Sequence, residues 1–448
     1  MAMLGDAVIA GRSGADPAGS GPKGGAALQE AGRSRIGQVA DRAKQDHRAE
    51  NGALLDAALA IVAEHGVGGL TLRPLAKRLG YPVATFARQI GAKDDLLCRL
   101  ITLAAHADEE MVEPWLRLVE SFESLPTDAL IDITEEVLRL RAGSRAARLR
   151  THFRCELVQA AAFNPRLRPA LLQWIEVDRI FWRALCDRAT QIASFDMIAA
   201  LEGFAIEDGA KALILDDFES YRWMRREGIR RLWRGLFDGE PTTACALFER
   251  ALSVQPSPNG VPYWTARPPE SERDRTFGAI IAEIILEGGT DAITHREVAR
   301  RAGTPHSSLA YHYPLQDELV ELGMNTIVEM IREGSAAAMD GKELPIVAGQ
   351  LAYASFAISL AAAHRPSLRP IAREMRRRRG DNLLPWLLLN AADKSRIDMA
   401  NVQAMSCALI GSLVLSRAAL RDSAPLTRQL FAQLGDWPDL LARFPDQD

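Results

Sequence analysis

Cysteine is scarce and unpatterned in these 448 residues. Cys98, Cys155, Cys186, Cys245 and Cys407 are scattered, odd in number and never spaced C-x-x-C. That argues against a disulfide framework or a cysteine zinc site and leaves buried, reduced thiols as the expectation. Aromatic residues make up only 6% of the chain, while Ala, Leu and Arg are abundant, a composition that favours helix. Neither sign of charge dominates: the formal net charge is −4, so any surface for nucleic acid has to be a local patch. No apolar run reads as long enough to span a bilayer, and the N-terminus lacks the apolar core of a secretory signal. A cytoplasmic protein without a membrane partner is the expectation. H-E-x-x-H, G-x-S-x-G, P-loop and paired Cys/His patterns are all missing, so no enzyme activity, cofactor or metal is expected. Gly19, Gly21 and Gly24 spell G-x-G-x-x-G, but no strand precedes them and no clear helix follows, so they carry no dinucleotide site.

What is present is organised around Thr71 to Leu97. Leu72, Leu75, Ala76 and Leu79 have helical spacing, Gly80 supplies a left-handed turn, and Pro82 opens a second helix. That helix sets Thr85, Arg88 and Gln89 between the apolar Val83, Phe86 and Ile90. An amphipathic helix from Asn51 to Gly66 precedes the pair, its stripe made by Leu54, Leu55, Ala58, Leu59 and Val62, with Gly66, Gly68 and Gly69 ending it. Three such helices make a helix-turn-helix domain whose last helix enters the major groove. The pattern returns ungapped at Thr294 to Val320. Thr71/Thr294, Arg73/Arg296, Ala76/Ala299, Gly80/Gly303, Pro82/Pro305 and Leu96/Leu319 are all offset by 223 positions. Ile280, Ile281, Ile284 and Ile285 supply the preceding stripe, and Gly288 and Gly289 its stop. An ungapped repeat of this kind reads as an internal duplication.

Both copies resemble the DNA-binding domain of TetR-family transcriptional regulators, in which T-x-R-x-(I/V/L)-A is followed by Gly, then (T/S)-(L/F)-Y-x-H-F, a Lys and a Leu. Copy one supplies Thr71, Arg73, Leu75, Ala76, Gly80, Thr85, Phe86, Lys93 and Leu96. Copy two supplies Thr294, Arg296, Val298, Ala299, Gly303, Ser308, Leu309, His312, Tyr313 and Leu319. The resemblance implies an all-α protein of two TetR-like units, each a three-helix helix-turn-helix domain followed by a helical regulatory, ligand-binding domain. The divisions are a disordered arm over 1–47, a first DNA-binding domain over 48–98 and a first regulatory domain over 99–240. A linker over 241–272, rich in Pro and polar residues, then leads to a second DNA-binding domain over 273–320 and a second regulatory domain over 321–448. Arg33, Arg35, Arg42 and Lys44 make the end of the arm basic, which reads mainly as a solvated tail.

The candidate DNA contacts follow from this layout. On the first recognition helix, Thr85, Arg88 and Gln89 face outward, with Arg88 suited to guanine O6/N7. On the second, Ser307, Ser308, Tyr311 and His312 take the equivalent face. Arg73, Lys77, Arg296 and Arg300 flank the turns and suit phosphates. Lys93, at the start of a fourth helix, suits a phosphate as well. Against the family pattern, Ala87 and Ala310 stand where a phosphate-binding tyrosine is expected, Gln316 replaces the lysine, and Gln89 replaces the histidine.

Beyond Lys93, amphipathic helices are expected near 111–123, 127–142, 144–162, 166–190, 196–215 and 219–237. Pro165 to Pro169 matches Pro366 to Pro370 at an offset of 201, and Asp196-Met197 matches Asp398-Met399 at 202, so the repeat extends into the regulatory half. Candidate effector contacts are Phe153, Phe163, Trp174, Phe181 and Trp182, with Phe356, Trp386 and Met405 as counterparts, though aromatics at helical spacing are more often plain core. The run Arg376 to Arg379 reads as a solvated face. The helices Asp196–Leu215, Glu219–Phe237, Asp398–Leu420 and Pro425–Leu434 correspond to those of the family's dimer bundle and here are available to pack within one chain. The functional expectation is a ligand-responsive repressor of double-stranded DNA, working as a single-chain pseudo-dimer on two unlike half-sites, with further homodimerisation left open. The alternative is a sensor of a ligand or protein partner in which DNA binding is weakened or lost, as Ala87 and Ala310 suggest.

Overall fold

The computed structural model describes residues 48–237, 271–339, 349–391 and 393–435, together with Leu247 and Arg250. The expected arm over 1–47 and nearly all of the expected linker lie outside the described residues. Ala53–Asp448 forms one compact unit. The fold is all-helical, as expected. The only non-helical pairing among the described residues is a single bridge between Leu125 and Ala189.

The helices of the N-terminal half are α1 (48–69), α2 (Leu72–Leu79), α3 (Val83–Ile90), α4 (Lys93–Glu120), α5 (Thr127–Gly143), α6 (Arg145–Ala161), α7 (Arg168–Asp187), α8 (Met197–Leu215) and α9 (Glu219–Trp233). Those of the C-terminal half are α10 (Glu272–Gly288), α11 (His295–Arg301), α12 (His306–His312), α13 (Gln316–Met339), α14 (Gly349–His364), α15 (Arg369–Arg377), α16 (Leu384–Asn390), α17 (Met399–Arg417) and α18 (Ala424–Ala432). Polar caps fix many of the starts: Ser144, Asp196, Ser271, Thr294 and Asp398 each accept a first-turn amide hydrogen. The matched landmarks take the same local form. Pro165–Leu167 and Pro366–Leu368 are both 3-10 turns, and Asp196 and Asp398 both cap a long apolar helix.

Four expectations need correction. No separate helix covers 111–123; α4 runs unbroken for 28 residues with Pro114 inside it. Its buried stripe of Leu100, Ile101, Ala104, Val112 and Val119 continues past the polar residues, where His106 pairs with Glu109 and Glu110 at the surface. The first helix passes Gly66 and ends only at residue 69, although Gly66 has φ 67°. The helix Met399–Arg417 is, by length and composition, apolar enough to cross a membrane, against the expectation of no such run. It is a core helix, buried along nearly its whole length. Finally, Arg376, Arg377 and Arg379 are buried rather than solvated; only Arg378 of that run faces out.

The centre of the molecule is the pairing of α8 with α17, the most extensive helix–helix contact among the described residues. Both are buried on nearly every side, with α9, α14 and α15 around them. Gly203 and Gly411 sit at the crossing, where a Cβ on either would overlap the other helix's backbone. Charges placed in this core are paired. Glu207 meets Arg376 and Arg379, Asp208 accepts from the Tyr221 hydroxyl at 2.6 Å, and Glu202 pairs with Arg179 and Arg421. In a second cluster Asp178 accepts from Arg141 at 2.5 Å and from Arg154 at 2.7 Å. Burial pushes the Asp178 carboxyl up, but the two guanidiniums outweigh it and hold the group below the usual carboxylate range. Its contribution to stability is therefore full above 3.8, the ordinary aspartate value, and is lost as pH falls further. Denaturant titrations at falling pH check this: wild type weakens in that range, and Asp178→Asn, weaker at neutral pH, shows a shallower acid loss.

Candidate nucleic-acid interface

The two short helix pairs are built by the same local forces. Leu75 and Ala76 of α2 and Phe86 of α3 are buried in one apolar cluster with residues of α1 and α4, and Val298, Ala299 and Leu309 are buried at the equivalent places. The turns are alike. Gly80 and Gly303 adopt φ of 75° and 62°, in the left-handed region that glycine enters without strain. The turn is closed by the Tyr81 amide donating to Ala76 O at 2.9 Å, and by Thr304 donating to Ala299 O at 3.0 Å. Pro82 and Pro305 stand one residue before the helix as N-caps, rather than within its first turn. The following helix is held by a carboxylate in each case: Asp95 Oδ2 accepts from the Ala92 amide at 3.1 Å, and Glu318 Oε2 from the Leu315 amide at 3.0 Å.

This leaves one face of each second helix outward. Arg88 is exposed and Thr85 half-buried; Gln89 lies in α3, its side chain outside what is described. Ser307, Ser308 and His312 are exposed, and Tyr311, at 83% exposure, is the most exposed large apolar residue described. Its ring meets that of His312 edge-on, with centroids 5.2 Å apart. His312 accepts a hydrogen bond from Arg273 Nη1 at 2.9 Å, which brings a cation from α10 onto the same face. Arg273 escaped the sequence reading because it sits outside the repeated motif.

The basic residues beside the turns divide into two groups. Arg73, Lys77 and Arg296 are exposed. Arg300 pairs with Glu297 at 2.7 Å and Arg301 pairs with Glu297 and Glu287, which holds Glu297 down at about 2. Arg78 likewise pairs with Glu64 at 2.8 Å. Lys93 is turned toward the fold, its ammonium donating to the carbonyls of Val67 and Gly68 at 3.4 and 3.3 Å. Gln316, at the equivalent position, donates to Ile293 O. The lysine-to-glutamine difference between the copies thus preserves a tie to the backbone just before the helix pair.

The eight candidate effector contacts do not form one wall. Phe153, Trp174 and Phe356 belong to the core cluster beneath the helix pairs; Phe181, Trp182, Trp386 and Met405 belong to a second. Seven of them are buried, whereas Phe163 is 44% exposed and rests edge-on against Tyr353. A small cleft lies elsewhere, between α8, α9 and α17, lined by Asp208, Lys211, Tyr221, Arg225, Gln403 and Cys407 among others. Its signal in the sequence was the pair of charges Asp208 and Lys211, two of four charged residues in a largely apolar helix.

No curated protein matches the chain. Residues 54–100, which hold most of α1, the first helix pair and the start of α4, match the family model of bacterial regulatory proteins of the tetR family. The match ends before the second helix pair. Residues 54–100 thus carry a TetR-family DNA-binding helix-turn-helix, and this supports a DNA-binding transcriptional regulator of that family.

Proposed function

We propose that the chain is a ligand-responsive repressor that works as a single-chain pseudo-dimer, with α3 and α12 reading two unlike half-sites of one operator. The observation that carries this reading is the recurrence, within one compact unit, of two helix pairs with matching glycine turns and buried positions. The packing of α8 on α17 within the chain supports it, because this is where the resemblance puts the dimer bundle. The two outward faces differ in chemistry: Arg88 on one, Tyr311 and His312 on the other. A guanidinium suits guanine O6/N7, and a tyrosine suits a thymine methyl or a sugar. An effector entering a regulatory domain then shifts α4 or α13 and changes the separation of the recognition helices.

Arg88→Ala is expected to weaken binding by about 1–3 kcal/mol and relax sequence preference at one half-site, and Tyr311→Ala to do so at the other. Footprinting of both variants on an operator selected from genomic DNA tests this, and protection lost at the same half-site in both would falsify the reading. A second reading, a sensor with weakened DNA binding, is favoured by Ala87 and Ala310 and by the inward turn of Lys93. Recovery of no specific sequence by the purified chain, at a stated and moderate salt concentration, would favour that second reading.

A further inference from the structure

His152, Glu156 and His364 come together where the two halves of the chain meet beneath the first helix-turn-helix. His152 and Glu156 are one turn apart on α6, so their side chains leave the same face. His364 is the last residue of α14. All three side chains are less than a tenth exposed. His152 Nε2 lies 3.4 Å from Glu156 Oε1, and His364 Nδ1 lies 3.9 Å from the same oxygen. Neither nitrogen makes a hydrogen bond. Buried polar atoms are nearly always partnered, so two imidazole nitrogens converging unbonded on one carboxylate oxygen need an explanation. Either each neutral ring turns an N–H toward that oxygen, or both rings present lone pairs to a cation shared with it, and the second arrangement makes the three groups a ligand set. The three ligand atoms lie within 4.8 Å of one another. Ligands bonded at about 2.0–2.1 Å around a tetrahedral ion stand roughly 3.4 Å apart, so closure needs small side-chain movements and no change of backbone.

We propose that His152, Glu156 and His364 bind a divalent first-row transition ion of the zinc class, through two imidazole nitrogens and one carboxylate oxygen. Two imidazoles and a carboxylate are a donor set such ions accept, with a fourth position left for water.

The other carboxylate oxygen is already engaged. Glu156 Oε2 accepts from the Val67 amide at 3.3 Å, in the last turn of α1, and Lys93 holds the carbonyls of Val67 and Gly68 in the same turn. An ion on Oε1 therefore joins α6, the end of α14 and the first helix-turn-helix through one carboxylate. This coupling rests on the proposed function; the ion site does not.

The test uses the full chain, tag-free and stripped of metal. Co2+ is titrated in and read by its visible ligand-field absorption, and Zn2+ is then added to displace it. One Co2+ per chain, displaced by Zn2+, is the expected result. His152→Asn and His364→Asn should each lower affinity at least about tenfold, since even outer-shell changes at metal sites reach that size. Wild type that develops no absorption overturns the proposal without reference to any variant. So does a spectrum unchanged in both variants, provided their circular dichroism matches that of the metal-free wild type. Operator affinity is then measured with and without Zn2+. A shift supports the coupling, and equal affinity rejects the coupling while leaving the site. Metal binding without any DNA binding upholds the site and rejects the proposed function.

Discussion

Glu207→Ala is expected to destabilise the protein by about 3–5 kcal/mol, the range for stripping one partner from a buried ion pair. Glu207 is fully buried on α8 and is the counter-ion of two arginines from the other half of the chain. Arg376 ion-pairs with Oε1, and Arg379 Nε donates to the same oxygen at 2.8 Å. The neighbouring acceptors are neutral: Ser355 O takes Arg376 Nη2 at 3.1 Å, and Ser355 Oγ takes Arg379 Nη2 at 3.2 Å. The Phe356 ring lies 5.7 Å from the Arg376 guanidinium. Removing the carboxylate thus leaves two cations in the core with dipoles and a ring face in place of a charge. The triple variant Glu207→Leu, Arg376→Met, Arg379→Met is expected to recover most of the loss, because apolar groups of similar volume avoid the desolvation altogether. Urea denaturation of the three proteins measures both effects. A single variant within about 1 kcal/mol of wild type would mean that water reaches the cluster and screens it.

Gly411→Val is the second large effect, expected to cost at least about 3 kcal/mol, at the upper end for overpacking. A Cβ at 411 overlaps the carbonyl of Gly203, and one at 203 overlaps the carbonyl of Ala408. The obstacle is backbone in both cases, so no rotamer change relieves it, and α8 and α17 must move apart along their length. The Gly52 position is the control. It is helical with open space around its Cα, so Gly52→Ala should be neutral or stabilising by up to about 1 kcal/mol. Thermal melts that place Gly411→Val beside Gly52→Ala would remove the close crossing as a source of stability.

Much of this fold is legible in the sequence where a local rule decides the outcome. Gly80 and Gly303 mark left-handed turns because little else fits there, and Asp196 and Asp398 mark helix starts because their side chains satisfy free amides. Apolar spacing marks α2 and α3, and the ungapped offset carries the same pair to α11 and α12. What is not legible is set by distant partners. The arginine run at 376–379 looks solvated until Glu207, in the other half, is placed beside it. Met399–Arg417 passes in the sequence for an ordinary amphipathic helix, and its nearly uniform apolarity makes sense only once α8, α9 and α14 are packed round it. His152 and Glu156 alone are an ordinary pair one turn apart; His364, from the opposite half, makes them a set of three. The candidate effector aromatics fall into two separate clusters because helical spacing gives burial but not which core a residue joins.

The glycine crossing also bears on how this chain is free to change. An interface between two copies of one polypeptide must fit its own image turned by half a revolution about a two-fold axis, so every substitution there is felt twice. Here residue 203 opposes residue 411, and the two are encoded separately on one polypeptide. A mutation on one side can be answered by a different mutation on the other, and the surfaces can specialise like lock and key. Dilution does not part them either, since the tether fixes their local concentration however few molecules a cell contains.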